Sequence, residues 1–198
     1  MELLTPQIYT PKGFAKENIL QGKKALDIGC GSRKLPGAVG VDIVKTADVD
    51  ILHDLSVFPW PFRESEFDVV FANHFLEHTD DLLKTISEIH RITRPGAHII
   101  IQVPYFRSVD AYTDPTHRHF FTSQSLDYFI DGTGCAEYRY VPIRFKKLAF
   151  WYGWPHRSKN PLRELIKKLA YRAPRFYDQY LSLLLPVPCL TFELEVIK

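Results

Sequence analysis

The chain has 198 residues, 45% hydrophobic and 24% charged, which is long enough for a buried core and excludes wholesale disorder. Its 25 Lys and Arg nearly balance 23 Asp and Glu, and a net charge of +2 speaks against a chain-wide trap for nucleic acid. Cys30, Cys135 and Cys189 form no CxxC pair, so a zinc ribbon and a disulfide scaffold are excluded and a reducing cytoplasm is the expected setting.

The start, Met1-Glu2-Leu3-Leu4-Thr5-Pro6, has neither the charged region nor the apolar run of a signal peptide. No stretch of 18 apolar residues occurs that would span a membrane. Short apolar runs at 24–28, 38–43, 47–52 and 67–72 read as four strands, the third the weakest. Residues 79–93 switch to helical period, with Leu82, Leu83, Ile86, Ile89 and Ile92 near one face. Thr79 or Asp80 is the expected cap and Arg94-Pro95-Gly96 the stop. A fifth strand follows over 97–103, then a polar, aromatic loop over 105–122 and a short helix from Ser123 to Ile130. Residues 135–150 read as extended, 161–172 and 175–185 as helices, and 190–197 as a last strand. Strands alternating with helical connections give an α/β fold: one open, mostly parallel, Rossmann-like sheet with helices on both faces. The whole chain reads as a single domain.

Gly29 and Gly31 follow the first strand directly. A dinucleotide site would need a third glycine opening a helix, but Lys34 and Pro36 stand there and the link to the next strand is too short. The strand ends carry acids instead: Asp27, Asp42 and Asp54. Three carboxylates repel phosphate and suit a cationic ligand with hydroxyl and amino groups.

Six ordered blocks carry a resemblance. They are Leu26-Asp27-Ile28-Gly29-Cys30-Gly31, Gly40-Val41-Asp42, His53-Asp54-Leu55, Phe58-Pro59-Trp60-Pro61-Phe62 running into Phe67-Asp68-Val69-Val70, Phe75-Leu76-Glu77-His78, and Arg94-Pro95-Gly96. Over about 22–104 the chain resembles the class I S-adenosylmethionine-dependent methyltransferases, of the type 11 group. The resemblance implies a last antiparallel strand and S-adenosylmethionine as cofactor. It places Asp27, Gly29, Cys30 and Gly31 along the methionine part. Asp42, with Ile43 beside it, would take the ribose hydroxyls. Asp54 and Leu55 would meet the adenine, and Asn73 and His74 would lie near the methyl group. Only a short link separates Gly31 from Asp42, so the group's first helix is shortened here, and Arg33 is left as a partner for the methionine carboxylate.

His74-Phe75-Leu76-Glu77-His78 also matches H-x-x-E-H, which on a helix would give two zinc ligands with a third from His117 or His119. The same Glu-His recurs in the resembled group without zinc, so no metal is expected. The loop Asp114-Pro115-Thr116-His117-Arg118-His119 lies at the carboxyl edge of the sheet, where open α/β folds bind ligands. A hydroxyl acceptor would need a base, and His117, then His119 and His74, are the candidates.

Residues 153–186 hold seven Lys or Arg against Glu164 and Asp178. Leu162, Leu165, Ile166 and Leu169 form an apolar stripe within this basic segment. It is expected to be an insertion or a lid, with Trp151, Tyr152 and Trp154 at its hinge side, facing an anionic acceptor or an anionic membrane surface. The expected activity is methyl transfer to a small-molecule or glycan acceptor. The alternatives are a non-catalytic cofactor-binding module and a metal-dependent hydrolase.

Overall fold

The computed structural model of the chain describes residues 9–10, 13–14, 20, 22–153, 161–183 and 187–198. Seven strands form one sheet: β1 (Ala25–Ile28), β2 (Val39–Asp42), β3 (Ile51–Leu52), β4 (Phe67–Asn73), β5 (Thr93–Pro104), β6 (Arg144–Tyr152) and β7 (Cys189–Ile197). Their order is β3-β2-β1-β4-β5-β7-β6. The first five pair in parallel. β7 lies between β5 and β6 and runs antiparallel to both. A separate two-stranded hairpin joins Tyr9–Thr10 to Gly13–Phe14.

Strand alternation sorts the core into two faces. On one face Leu26, Ile28, Val70, Ala72, Ile99, Ile101 and Phe192 pack with Ile86, Ile89 and Ile92 of the helix α1 (Leu82–Ile92). Burying each of the larger side chains among them is worth about 1.5–3 kcal/mol. On the other face Ala25, Val69 and Phe71 are covered by Leu35 and Ala38. These two come from the link between β1 and β2, which holds turns and no helix. The missing first helix is thus replaced by a loop that still delivers two apolar side chains to the sheet.

Several boundaries differ from the sequence expectation. The third strand shrinks to Ile51–Leu52. Asp81, one residue past the expected caps, takes the Lys84 N–H on Oδ1 at 3.0 Å and starts α1. The helix ends at Ile92, where the Thr93 hydroxyl donates to the Ile89 carbonyl at 2.6 Å, and β5 runs from Thr93 through the expected stop. The expected helix at 123–130 is only a 3-10 turn over Asp127–Phe129. Gly134–Tyr138 is another 3-10 turn, not extended chain, because the Thr133 hydroxyl caps it at Ala136 N–H.

In the basic segment, α2 (Pro161–Arg172) packs on β6 and buries Ala170. Leu162 and Leu165 of the expected stripe are exposed rather than buried. A turn of π-helix, Tyr177–Leu181, follows. There the buried Asp178 carboxylate accepts hydrogen bonds from the Tyr105 and Tyr152 hydroxyls, both at 2.8 Å, and from the Ser123 N–H and hydroxyl at 3.0 and 2.6 Å. The expected hinge residue Trp154 lies outside the described residues.

Candidate active site

At the carboxyl ends of β1, β2, β3 and β4 the chain leaves the sheet, and a cleft of about 410 Å³ opens between these exits and the start of α1. Gly29, Asp42, Ile43, Asp54, Leu55, Ser56, Phe58 and Phe75 form one part of its lining, and His78 through Asp81, Lys84 and Thr85 the other. Gly29 is required by two constraints. Its φ is +66°, and a Cβ there would lie 2.8 Å from Phe75 Cδ2. A backbone with no side chain therefore floors the cleft under an aromatic wall.

Asp42 Oδ2 accepts the Gly31 N–H at 2.9 Å and Oδ1 accepts the Val44 N–H at 2.9 Å. These two bonds tie the glycine turn to the end of β2 and fix the carboxylate at the cleft wall. Each oxygen keeps a second acceptor site. Asp54 takes the Ser56 hydroxyl at 2.7 Å and the Ser56 N–H at 2.9 Å on one oxygen. The hydroxyl first, then the N–H, holds its carboxyl below the usual range, so it stays charged.

Leu55 is held from behind. The buried Trp60 indole N–H donates to its carbonyl at 2.9 Å. Trp60 N–H in turn donates to Glu88 Oε2 of α1 at 2.9 Å, and Arg91 caps the Trp60 and Phe62 carbonyls while pairing with Glu88. The aromatic-proline stretch therefore braces the cleft wall against the helix.

Asp27 does not line the cleft. It is buried behind the turn, where Oδ2 accepts the Leu35 N–H at 2.7 Å. Desolvation pushes its carboxyl up to about 6, against the smaller pull of that N–H and of Lys34. Cys30 is also buried and stands outside the cleft lining, and desolvation, with Asp27 and Asp42 nearby, pushes its thiol up to about 11. Gly31 enters the site only through Asp42. Arg33 is exposed at the same turn, and Lys34 pairs with Asp50 at 2.7 Å.

Asn73, the last residue of β4, and His74, the first beyond it, are exposed and stand outside the cleft lining. His74 has φ +51°, so the helix that an H-x-x-E-H site would need does not form; only Leu76–His78 makes a 3-10 turn. His74 Nδ1 instead donates to Glu77 Oε1 at 3.1 Å.

Loop 114–119 is stitched onto residues 77–80. Arg118 and His119 N–H groups donate to the Glu77 carbonyl at 2.7 and 3.2 Å. His119 Nε2 donates to the Thr79 carbonyl at 2.8 Å, and Arg118 pairs with Asp80. This stitching brings His117 against His78, ring centroids 4.6 Å apart. His119 is engaged in holding the loop, whereas His117 and His78 face each other beside Glu77. His78, Phe75, Thr79, Asp81 and Lys84 are cleft residues that composition and motif reading did not assign to a cofactor. The one usable signal was that they fill the gap between the fourth strand and the first long helix.

The cleft combines carboxylates at Asp42, Asp54, Asp80 and Asp81 with a single lysine, and apolar walls at Leu55, Phe58 and Phe75. That lining suits a cation with a flat aromatic part and polar hydroxyls. Comparison with known proteins agrees. Residues 11–137 match the family model described as a methyltransferase domain. The chain belongs to this family. Within it, the chain falls in the class I, type 11-like group. A demethylmenaquinone methyltransferase of Staphylococcus saprophyticus is 30% identical over 106 residues, 42% of this chain and 45% of that one. One from Geobacillus stearothermophilus is 28% identical over 103 residues, 40% and 44% of the two chains. The matched stretch is thus under half the length of these curated relatives. Among solved structures, an S-adenosylmethionine-dependent methyltransferase from Mesorhizobium loti superposes with TM-score 0.56 at 12% identity, covering 87% of this chain and 90% of that one. Another from Archaeoglobus fulgidus gives 0.53 at 18%, covering 87% and 86%. At such identities the likeness is one of fold, and this chain shares it along most of its length.

Proposed function

We propose that the protein transfers a methyl group from S-adenosylmethionine to a small-molecule acceptor. The observation that carries this reading is the cleft at the strand ends, acidic and aromatic, with no helix N-terminus to hold a phosphate at its glycine turn. Asp42 would hold the ribose hydroxyls through the acceptor sites its backbone bonds leave open. Leu55, Phe58 and Phe75 would sandwich the adenine, with Asp54 at its edge. Asp27, behind the turn, would feel the cofactor's positive charge through one layer of backbone. Methyl transfer displaces a neutral thioether, which needs no acid, so the chain's task is to align the acceptor with the methyl group and to take up the acceptor's proton. The Glu77, His78 and His117 group is where that proton would be drawn off, because it adjoins the cleft through His78.

The basic segment is proposed to form the acceptor side. Lys168, Arg172 and Arg175 are exposed on it, together with Leu162, Leu165, Phe176 and Tyr180. Such a surface fits an amphiphilic, anionic acceptor, or an acceptor presented at an anionic lipid surface. A glycan phosphate and a quinone-type lipid such as the curated relatives' names imply both belong in the test panel. Among the described residues, no helix is long and apolar enough to cross a membrane. A cytoplasmic setting is proposed from the scattered cysteines of the sequence.

The test is calorimetric titration with S-adenosylmethionine, followed by incubation with the acceptor panel and measurement of S-adenosylhomocysteine release. Binding plus acceptor-dependent release supports the reading. No binding at millimolar cofactor would overturn it, and binding without release for any acceptor would leave only a cofactor-binding module.

A further inference from the structure

Glu77 is 0% exposed, and its Oε2 has no hydrogen-bond partner among the described residues. A fully buried carboxylate oxygen without a partner has lost its water and gained nothing in return, which is costly. Its neighbours explain what is missing. One ligand atom each from Glu77, His78 and His117 lie within 4.8 Å of one another.

The tautomers follow from the hydrogen bonds. His117 Nδ1 lies 3.0 Å from the Ala111 carbonyl, which can only accept, so Nδ1 carries the proton there. His78 Nδ1 lies 2.8 Å from the Thr116 hydroxyl, which itself donates to Asp114 Oδ1 at 2.7 Å, so this Nδ1 donates too. Each imidazole is left with Nε2 as its free ligand atom. Two imidazole nitrogens and one carboxylate oxygen are thus left with bare lone pairs in one small group of side chains. A water molecule has only two protons to offer them. A cation satisfies all three at once.

We propose that Glu77, His78 and His117 bind a divalent transition-metal ion, of which zinc is the best match to two imidazoles and one carboxylate with further positions open. The surroundings are those of ligand imidazoles, each held by an N–H bond from its other nitrogen to an oxygen. The Asp114-Pro115-Thr116 turn supplies one such bond and the backbone of Ala111 the other. The site differs from the H-x-x-E-H reading, in which His74 would be a ligand; here His74 instead steadies Glu77 Oε1. The ion would sit beside the cleft, where it can lower the proton affinity of an acceptor oxygen, and in the loaded protein His117 would serve the proton's removal as a ligand of that ion, not as a free base. That role rests on the proposed methyl transfer; the binding itself does not.

The experiment uses untagged protein stripped with chelator and titrated with Co²⁺, read by its visible absorption bands, with Zn²⁺ as competitor and metal content measured per chain. One ion per chain is expected, displaced by zinc, with affinity falling at least tenfold in His78→Ala, His117→Ala and Glu77→Gln but unchanged in His53→Ala. If Glu77→Gln fails to fold, the two histidine variants decide the matter, since neither is fully buried. Absence of stoichiometric binding, or binding that none of the three substitutions weakens, overturns the site. S-adenosylmethionine affinity measured on the stripped protein separates the outcomes: cofactor binding without metal binding leaves the methyltransferase reading standing, and metal binding without cofactor binding leaves the site standing.

Discussion

Asp42 Oδ2 receives the backbone N–H of Gly31 at 2.9 Å, so the residue proposed to hold the ribose also shapes the turn beneath the cofactor. Asp42→Ala should weaken S-adenosylmethionine binding by roughly 1.5–3 kcal/mol, the range for hydrogen bonds to a charged group. Calorimetry checks this. Asp42→Asn should recover part of the loss, because one oxygen can still take a backbone N–H. Parent-like affinity in the alanine variant would remove Asp42 from the cofactor site.

Gly29→Ala combines a positive φ with a contact of 2.8 Å to the Phe75 ring. A strained backbone of this kind costs on the order of 1–3 kcal/mol. The same shift of Phe75 would narrow the cleft, so urea midpoint and cofactor affinity should fall together. A loss of stability alone would mean that Phe75 does not touch the cofactor.

Asp27 gives a pH signature. Its carboxyl is raised from 3.8 to about 6 by burial, so between those pH values the folded state holds more protons than the unfolded one. Stability should therefore fall as pH rises from about 4 to 6, by roughly 3 kcal/mol, since each tenfold change in proton affinity is worth about 1.4 kcal/mol. Asp27→Asn, which keeps an oxygen for the Leu35 N–H, should abolish that slope and be the more stable protein at pH 7. Denaturant titrations across pH measure it. An unchanged slope in the variant would place the effect elsewhere.

His117→Ala should cut turnover about 100- to 10,000-fold while cofactor affinity stays near that of the parent. Single-turnover rates beside calorimetry test the split. Equal loss of both would mean that His117 supports the cofactor wall instead.

Replacing Lys168, Arg172 and Arg175 by Gln should raise the KM of an anionic acceptor and flatten its dependence on salt. The circular dichroism spectrum should not change, because all three are exposed. A parent-like KM and salt profile, with no loss of binding to anionic vesicles, would make this basic segment purely structural.

What could be read from the sequence was what depends on local pattern. The apolar runs at 24–28 and 67–72 sit in parallel strands buried on both faces, so their composition alone marked them. Pattern failed where a side chain overruled propensity. Asp81 rather than Thr79 or Asp80 caps α1, because only its Oδ1 reaches the Lys84 N–H. At the candidate site, Asp42, Asp54 and Leu55 were legible as residues at strand ends. The Glu77, His78 and His117 cluster was half legible. H-x-x-E-H flagged 74–78, yet the positive φ of His74 turns the chain out of helix, and the link to His117 depends on a loop folding back by backbone bonds to Glu77. No periodicity carries that information.

The placement of β7 has a consequence for biosynthesis. β5 has one edge bare, and β6 has no partner strand in the sheet, until Cys189–Ile197 slots between them. On the ribosome both edges are made well before their shared partner emerges. The nascent sheet therefore passes through an interval in which two hydrogen-bonding rims are open to strangers, and a bare strand rim is a template for mispairing. Masking of those rims by a chaperone, or a brisk closing of the sheet once β7 is out, would decide how much of the protein reaches its native state. A slower elongation rate just ahead of residue 189 would lengthen the exposure and lower the soluble yield.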